Sequence, residues 1–323
     1  MDELTRVRHL IFGARTTQLL YVAVATGMID LLAEHPQTAD ELAAATGADA
    51  GALRRVLRAL ALIDVVTEDG DAYTLTGVGE TVRSLRATAL NAGQPYIWRA
   101  WGELLHSVRT GDTAFDHVYG ESVWDYRAKH PEESKVFDAF MTEATHGVDE
   151  TIVSSFDFGR FGHIVDVAGG AGAFITAIMR QYPAVRGTLF DQPHVVPADG
   201  PFEIAAASFF EDVIPRAADA YVLKWILHDW DDDRAAAILR NVADAMRPGG
   251  HVLVVERDLA DAAAVWVDLQ MLVMVGGRER TEAEYAALFE QARLDPVGVT
   301  RVGAGHAVFE AQKTSGAAAP PRR

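Results

Sequence analysis

Asp166-Val-Ala-Gly-Gly-Ala-Gly172 joins a short apolar run, residues 164–168, to an amphipathic run, residues 173–182. Glycines let a ligand approach the backbone closely, and the N-terminus of the following helix favours a carboxylate. The spacing differs from that of the three-glycine dinucleotide fingerprint. By itself the stretch fits either a nucleotide-type site or a plain tight turn.

Asp191 favours the ligand site. It follows the next predicted strand, residues 188–190, and comes 19 residues after Gly172. A carboxylate at the end of that strand can accept hydrogen bonds from both hydroxyls of a ribose. The two features together predict a site for an adenosine-type ligand.

The chain from residue 164 onward alternates between short apolar runs and amphipathic runs. The predicted strands are 164–168, 188–190, 202–206, 220–223 and 252–255, and the predicted helices between them are 173–182 and 232–246. This alternation predicts an α/β fold in which helices cover both faces of a parallel sheet, a Rossmann-like doubly wound domain. A last helix, capped by Thr281 with Glu284 three residues on, precedes two strands around Gly303-Ala-Gly305.

The first 75 residues have a different pattern. Residues 9–35 carry a long apolar helical face, Thr38-Ala-Asp-Glu41 has the spacing of a capping box, and Asp49 can cap another helix. Val65-Val66 and Tyr73-Thr74-Leu75 flank an Asp69-Gly70 turn and predict a hairpin. This order predicts a winged-helix-like module, which serves either packing and dimerisation or DNA reading.

Charge and composition restrict the class of protein. The net charge of −17 disfavours nucleic-acid binding, because that binding depends on contacts from Lys and Arg to phosphates. The absence of cysteine excludes disulfides, thiolate metal sites and thiol nucleophiles. No apolar run approaches the roughly 20 residues of a membrane span, and the first ten residues lack the apolar core of a secretory signal. We therefore expect a cytoplasmic protein with no nucleic-acid or membrane partner.

Leu223-Lys-Trp-Ile-Leu-His-Asp-Trp-Asp-Asp232 holds the strongest catalytic candidate, His228. The histidine follows a predicted strand at the carboxyl edge of the sheet, where doubly wound folds place their sites. An unperturbed imidazole has a pKa near ~6.5 and is largely a free base at neutral pH. His228 is thus either a general base or a structural histidine.

The strings DVAGGAG, LFDQPHVV, LKWILHDWDDDR, RPGGHVLVVE and GGRERTEAEY resemble those of the plant caffeate- and flavonoid-type O-methyltransferases and their bacterial relatives from natural-product pathways. The similarity extends over residues 10–312. It implies an S-adenosylmethionine-dependent O-methyltransferase that acts on a hydroxyl of a small aromatic metabolite. It also implies a homodimer in which the helical front of each subunit closes the pocket of its partner.

The resemblance implies a role for particular residues. His228 is the expected general base, flanked by Glu256 and Glu279. The residues expected to bind the cofactor are Ala168, Gly169, Gly170, Asp191, Ser208, Phe209 and Lys224. The residues expected to approach the acceptor are Phe140, Met141, Trp266, Asp268, Met271 and Met274, although core packing is the alternative for the Met and Trp residues.

The resemblance also sets the expected domains. They are a dimerisation domain at 1–90, a helical linker that contributes to the substrate pocket at 91–160, a cofactor-binding catalytic domain at 161–313 and a disordered tail at 314–323. The aromatic residues of the linker belong either to the core or to a pocket wall.

Three positions depart from the family pattern. Ala168 stands where the family carries the first glycine of a triplet, which is a mild change if its dihedral angles are ordinary. Ser208 stands where many members carry an acid for the adenine amino group. Residues 192–207 contain Pro193, Pro197 and Pro201, which leave little room for a crossover helix and predict a thin wall for the cofactor site.

Two other functions stay open. The same fold could bind the cofactor without transferring its methyl group and instead promote decarboxylation, hydroxylation or ring closure. The chain could also be a winged-helix regulator with a ligand domain. No metal is expected, because the aspartates 229 and 231–233 resemble the start of a helix and not a set of ligands.

Overall fold

The computed structural model describes residues 2–193, 195–210, 214–303 and 305–313. The tail that was expected to be disordered, 314–323, lies outside the described residues. The chain forms two compact units, Met1–Glu103 with Val118–Thr145, and Leu104–His117 with His146–Arg323. The segment 91–160 is divided between these units.

The described helices are α1 Glu3–Ile11, α2 Gly13–Ala25, α3 Met28–Glu34, α4 Ala39–Thr46, α5 Ala50–Ala61, α6 Gly77–Ser84, α7 Arg86–Gly93, α8 Pro95–Gly102, α9 Leu104–Thr110, α10 Ala114–Tyr119, α11 Val123–Lys129, α12 Pro131–Thr145, α13 Val148–Ser155, α14 Ala173–Gln181, α15 Asp232–Ala245, α16 Ala262–Met274 and α17 Glu282–Gln291. The described strands are β1 Gln37–Thr38, β2 Val66–Asp69, β3 Ala72–Leu75, β4 His163–Val167, β5 Arg186–Asp191, β6 Glu203–Ala206, β7 Ala220–Lys224, β8 His251–Arg257, β9 Leu294–Gly303 and β10 His306–Lys313. Two short 3-10 helices cover Phe158–Arg160 and Leu227–Asp229.

The first unit has the predicted winged-helix-like order of elements. Thr38 and Glu41 form the capping box of α4, and Asp49 caps α5 through the backbone N–H of Ala52. Strands β2 and β3 pair as the expected antiparallel hairpin, and β1 joins β3 to give the order β1-β3-β2. Apolar side chains from α2 to α5 and from the hairpin fill its core, which includes Leu42, Leu57 and Tyr73.

The second unit is built on a seven-stranded sheet with the order β6-β5-β4-β7-β8-β10-β9. The five strands β4 to β8 pair with one another in parallel, as predicted, whereas β10 is antiparallel to both β8 and β9. Helices α15 and α17 pack on one face of the sheet, and α13 and α14 pack on the other. The Rossmann-like doubly wound fold is therefore confirmed, with an antiparallel pair added at one edge.

Successive strand ends bring the candidate residues to one edge of this sheet. The glycine turn follows β4, Asp191 ends β5, and Lys224 ends β7. The carboxyl ends of parallel strands share an edge of the sheet, so residues that are far apart in sequence meet there.

The connection between β5 and β6 is short, as its prolines predict. Thr188 is in register with Glu203, and residues 192, 193 and 195–202 contain no helix. The described part of this connection therefore contributes no helix to cover β5 and β6.

No described helix is both long and apolar enough to cross a membrane by itself. The bent pair α2 and α3 meets the length and composition criteria when the two helices are taken together.

Candidate active site

The glycine turn after β4 has a strained backbone. Gly170 and Gly172 have φ angles of 62° and 80°, and Ala168 has a φ of 58°. A side chain at Gly169 would place its Cβ 2.5 Å from the Cγ of Asp166. The replacement of glycine by Ala168 would be mild with ordinary dihedral angles, but this alanine occupies the left-handed region that glycine adopts at little cost.

Asp191 ties this turn to the end of β5. Its Oδ2 accepts a hydrogen bond of 2.8 Å from the backbone N–H of Gly170, and its Oδ1 accepts one of 2.6 Å from that of Gln192. A carboxylate oxygen can accept more than one hydrogen bond. The turn and the carboxylate thus form one unit with an anionic acceptor beside an exposed stretch of backbone.

A buried charge cluster lies beneath the turn. The Nζ of Lys224 lies 2.6 Å from the Oδ1 of Asp149, and both side chains are buried. Asp166 is buried as well, and its Oδ2 has no hydrogen-bond partner among the described residues. Burial raises the pKa of Asp166 to about 7, with Lys224 opposing the shift and Asp149 adding to it.

The expected adenine residues lie after β6. The Oγ of Ser208 accepts a 3.3 Å hydrogen bond from the backbone N–H of Phe210. The backbone carbonyl of Phe209 accepts a bond from Asn241, and the ring of Phe209 lies 6.3 Å from that of Trp230 in an edge arrangement. Aromatic faces are therefore available near this edge for a stacked base.

His228 lies in the 3-10 turn Leu227–Asp229 and is buried. Its Nδ1 lies 2.8 Å from the Oε1 of Glu279 and 3.5 Å from the Oε2 of Glu256. Its Nε2 lies 3.6 Å from the Oδ1 of Asp229. The structure thus brings together the three residues that were expected to act in catalysis.

Glu256 holds the backbone of the same turn. Its Oε1 accepts hydrogen bonds from the backbone N–H groups of Ile226 and Leu227, both at 2.9 Å, and a longer one of 3.4 Å from that of His228. Glu256 is completely buried, and burial raises its pKa to about 7. Its carboxylate therefore contacts both the backbone of the turn and the imidazole of His228.

The surrounding carboxylates decide the charge of His228. Burial alone lowers the pKa of the imidazole, but Glu256, Asp229 and Glu279 together raise it to about 10. The pKa of an unperturbed imidazole therefore does not describe His228, because nearby negative charges favour the protonated ring.

The expected acceptor residues are divided between the two units. Phe140 and Met141 lie on α12 in the first unit and are half-buried. Trp266, Asp268, Met271 and Met274 lie on α16 in the second unit. Met274 is buried in the core, whereas Trp266 is 72% exposed. Asp268 accepts a 2.9 Å hydrogen bond from the backbone N–H of Glu279 and so supports the partner of His228.

A cavity of about 640 Å³ opens beside the turn that carries His228. Asp229, Trp230 and Asp231 line one side of it, and the stacked rings of His106 and His117, with centroids 3.8 Å apart, lie on another. Asp229 therefore faces both this cavity and the Nε2 side of the imidazole.

Three residues of the site were not predicted from the sequence. Asp149 pairs with Lys224, Arg280 contacts the turn that carries His228, and Gly277 packs against the backbone of that turn. The motif GGRERT includes two of them, yet the sequence offers no indication of their partners.

The site fits S-adenosyl-L-methionine. Gly169 packs so closely on Asp166 and Leu189 that a Cβ would not fit, which keeps the turn against the ends of β4 and β5. Asp166 carries a buried oxygen without a partner among the described residues, and Asp191 offers a carboxylate for ribose hydroxyls. His228, Glu256 and Glu279 also place possible metal ligands within 4.8 Å of one another. Among the described residues, Oε2 of Glu256 and Oε2 of Glu279 are buried and have no hydrogen-bond partner.

Known proteins share this architecture. A family model for the O-methyltransferase domain matches residues 101–294, and one for the O-methyltransferase dimerisation domain matches residues 8–83. Phenazine O-methyltransferase PhzM of Lysobacter antibioticus is 39% identical, over 94% of this chain and 94% of its own. The 8-amino-8-demethylriboflavin N,N-dimethyltransferase of Streptomyces davaonensis is 35% identical, over 92% of each chain.

A solved structure extends the comparison to ligands. The O-methyltransferase NcsB1 from neocarzinostatin biosynthesis, in complex with S-adenosylmethionine and 2-hydroxy-5-methyl naphthoic acid, is 33% identical. It superposes with a TM-score of 0.82, over 92% of this chain and 96% of the other. The chain belongs to the S-adenosylmethionine-dependent O-methyltransferase family, and S-adenosyl-L-methionine is its cofactor. The expected family, fold and cofactor are thereby confirmed.

Proposed function

We propose that this enzyme methylates a hydroxyl of a small aromatic metabolite, with His228 as the general base. The observation that carries the proposal is the 2.8 Å contact between Nδ1 of the buried His228 and Oε1 of Glu279. In a neutral imidazole whose Nδ1–H donates to a carboxylate, the lone pair is on Nε2, where it can accept a proton.

The chain's own residues hold the reactants and move the proton. S-adenosyl-L-methionine supplies an electrophilic methyl group when it is bound. Asp191 and the turn at Gly169 and Gly170 bind the cofactor, and Lys224 lines the same site. His228 takes the hydroxyl proton at Nε2 as the acceptor oxygen attacks, and Glu279 stabilises the resulting imidazolium. Proton transfer of this kind contributes roughly 10²- to 10⁴-fold, and positioning of the two reactants about 7–11 kcal/mol.

The charge of His228 sets the pH at which it can act. The neighbouring carboxylates of Glu256, Asp229 and Glu279 raise the pKa of the imidazole. The ring must be unprotonated at Nε2 before it can take the hydroxyl proton. The fraction of the enzyme in that form grows as the pH rises.

The proposed acceptors are phenolic metabolites such as polyketides, flavonoids, phenazines or phenolic acids. Phe140, Met141, Trp266, Met271 and Met274 are proposed to approach the aromatic part of the acceptor. The relatives include both an O-methyltransferase and an N,N-dimethyltransferase, and the histidine base favours oxygen here. A neutral amine is a better nucleophile than a neutral hydroxyl and needs less help from a base.

We also propose that the enzyme is a homodimer through its first unit. The dimerisation-domain match covers residues 8–83, and α1 exposes Leu4, Val7, Leu10 and Ile11, at 50–72% of their full accessibility. Such an apolar face is costly in water and suits a second copy of the chain. Light scattering on the wild type and on Leu10→Glu tests this, and a wild type that runs as a monomer contradicts it.

The deciding experiment for the function uses methyl-labelled cofactor with a panel of phenols and the matching anilines. We expect label in at least one phenol, a loss of about 10²-fold or more in His228→Ala, and unchanged turnover in the presence of a chelator. Label that never enters an acceptor, while the cofactor still binds, supports the non-methylating alternative. Retardation of DNA at low salt would support a regulator instead.

A further inference from the structure

Arg280 is a cation with an exposed fraction of 0% that lies against the turn carrying His228. Its Nη1 donates a 2.8 Å hydrogen bond to the carbonyl of Leu227, and its Nη2 donates a 2.7 Å bond to that of Trp230. Its Nε donates a 2.9 Å bond to the Oδ1 of Asp232. The guanidinium therefore holds two carbonyls that lie on either side of His228 in the chain.

Gly277 packs against the same turn from the same loop. A Cβ there would lie 2.0 Å from the carbonyl oxygen of His228 and 2.4 Å from the carbonyl carbon of Asp229. Its φ lies outside the left-handed region. Glycine is therefore required here because there is no room for a Cβ, and not because of the backbone conformation. The loop thus contacts the backbone of the turn closely.

Buried charged side chains form hydrogen bonds with both the N–H groups and the carbonyl groups of the backbone around His228. Glu256 accepts from the N–H groups of residues 226–228, and Arg280 donates to the carbonyls of residues 227 and 230. Glu279, which contacts the imidazole, precedes Arg280 directly in the chain. One loop therefore orients the ring and fixes the backbone from which the ring projects.

We propose that Arg280 is a positioning residue, which sets the direction in which Nε2 of His228 faces the acceptor hydroxyl. The inference rests on the proposed role of His228 as the base. Buried carbonyls that lose their donors relax toward other partners, and a misplacement of about 1 Å in a reacting group can cost about 10²-fold in rate. Lysine keeps the charge but has no planar fork to bridge two carbonyls.

The test compares Arg280→Lys with Arg278→Lys as a matched control. Arg278 belongs to the same loop, but its side chain is 44% exposed, pairs with Glu284 and lies 3.8 Å from Asp232. Lysine at this position keeps the charge for both partners. We expect Arg280→Lys to lower kcat at least tenfold, with the acceptor KM and the Kd for S-adenosylhomocysteine within twofold of wild type. Arg278→Lys should match the wild type in all three quantities.

A second variant covers the case in which Arg280→Lys does not fold. Asp232→Asn keeps the buried arginine and weakens its Nε contact from a side chain that is 53% exposed. We expect kcat to fall about two- to fivefold, with an unchanged circular dichroism spectrum. A full wild-type kcat in a folded Arg280→Lys, or in Asp232→Asn when the lysine variant is unfolded, overturns the proposal.

The double variant His228→Ala/Arg280→Lys separates positioning from general structural support. If Arg280 acts through His228, the double variant turns over as slowly as His228→Ala alone, because effects that share one element do not add. Losses that multiply overturn the inference. If His228→Ala is fully active, both the proposed base and the positioning role of Arg280 are wrong. If His228→Ala is inactive but Arg280→Lys is fully active, only the positioning role of Arg280 is wrong.

Discussion

Nδ1 of His228 lies 2.8 Å from Oε1 of Glu279, although 51 positions separate the two residues in the chain. Both side chains are buried, and Glu279 is completely so. The short contact fixes which ring nitrogen carries the proton that faces the protein. It also keeps a negative charge beside the ring, with consequences for the pH dependence of the enzyme.

The rate should rise with pH across neutrality. Burial lowers the pKa of His228, but Glu256, Asp229 and Glu279 raise it to about 10. The fraction of His228 in the unprotonated form therefore increases as the pH rises toward that value. Glu279→Gln removes one negative charge, which lowers the pKa of the imidazole and moves the acid limb of kcat/KM to lower pH. The measurement is a pH profile from 6 to 10. Glu282→Gln, an exposed change on α17, should leave the limb in place, and an unmoved limb in Glu279→Gln contradicts the assignment.

Ala168→Gly should stabilise the enzyme. The alanine has a φ of 58°, and the left-handed region costs a residue with a Cβ about 1–2 kcal/mol. Part of the gain is lost to the greater freedom of glycine in the unfolded chain, so we expect a net increase of about 0.5–1 kcal/mol in the free energy of unfolding. Ala287→Gly, at an exposed position within α17, should lower stability by about 1 kcal/mol. Urea titration measures the change in the free energy of unfolding for both variants. A destabilised Ala168→Gly would show that the contacts of the Ala168 methyl group contribute more stability than its strained backbone costs.

Asp191→Ala should weaken cofactor binding. The carboxylate holds the N–H groups of Gly170 and Gln192 and is the proposed acceptor for the ribose hydroxyls. Hydrogen bonds to charged groups contribute roughly 1.5–3 kcal/mol each, so we expect the Kd for S-adenosylhomocysteine to rise at least tenfold. Isothermal titration calorimetry measures this, with Asp199→Ala in the same connection as the control. Equal affinity in the two variants would remove Asp191 from the cofactor site.

Lys224→Met should destabilise the fold strongly. Its partner Asp149 is buried at 2.6 Å, and Asp166 is a second buried carboxyl nearby. Removal of one member of a buried pair leaves an uncompensated charge and typically costs about 3–5 kcal/mol. Lys224→Met/Asp149→Leu should recover most of that loss. If the double variant is no more stable than the single one in chemical unfolding, the pair is not the source of the penalty.

Local patterns in the sequence were sufficient to predict most of the helices and strands. The capping boxes at Thr38 and Thr281 were predicted from residues three positions apart, and the structure contains both. The strand that ends at Asp191 and the helix that begins at Ala173 follow from hydrophobic period and glycine placement. The antiparallel direction of β10 could not be read in this way, because the periodicity of a strand carries no information on its neighbour's direction.

The residue types of the site could also be predicted from the sequence, but the pKa values of their side chains could not. His228 and Asp191 stand at predicted strand ends, where doubly wound sheets collect their ligands. The pKa of His228 depends on Glu256 and Glu279, which are 28 and 51 positions away. The pKa of an unperturbed imidazole does not apply to this ring, because those charges are brought to it only by folding.

The order of helices and strands, the glycine turn and the types of side chain at the sheet edge could all be predicted from the amino-acid sequence, because they depend on interactions within a few residues. Three features became known only from the folded chain: Ala168 takes a left-handed conformation, Lys224 pairs with Asp149, and Arg280 donates hydrogen bonds to the carbonyls of Leu227 and Trp230. The two pairings join residues far apart in the chain, and a hydrogen bond or a buried charge acts over a few ångströms in space, whichever residues the fold places there.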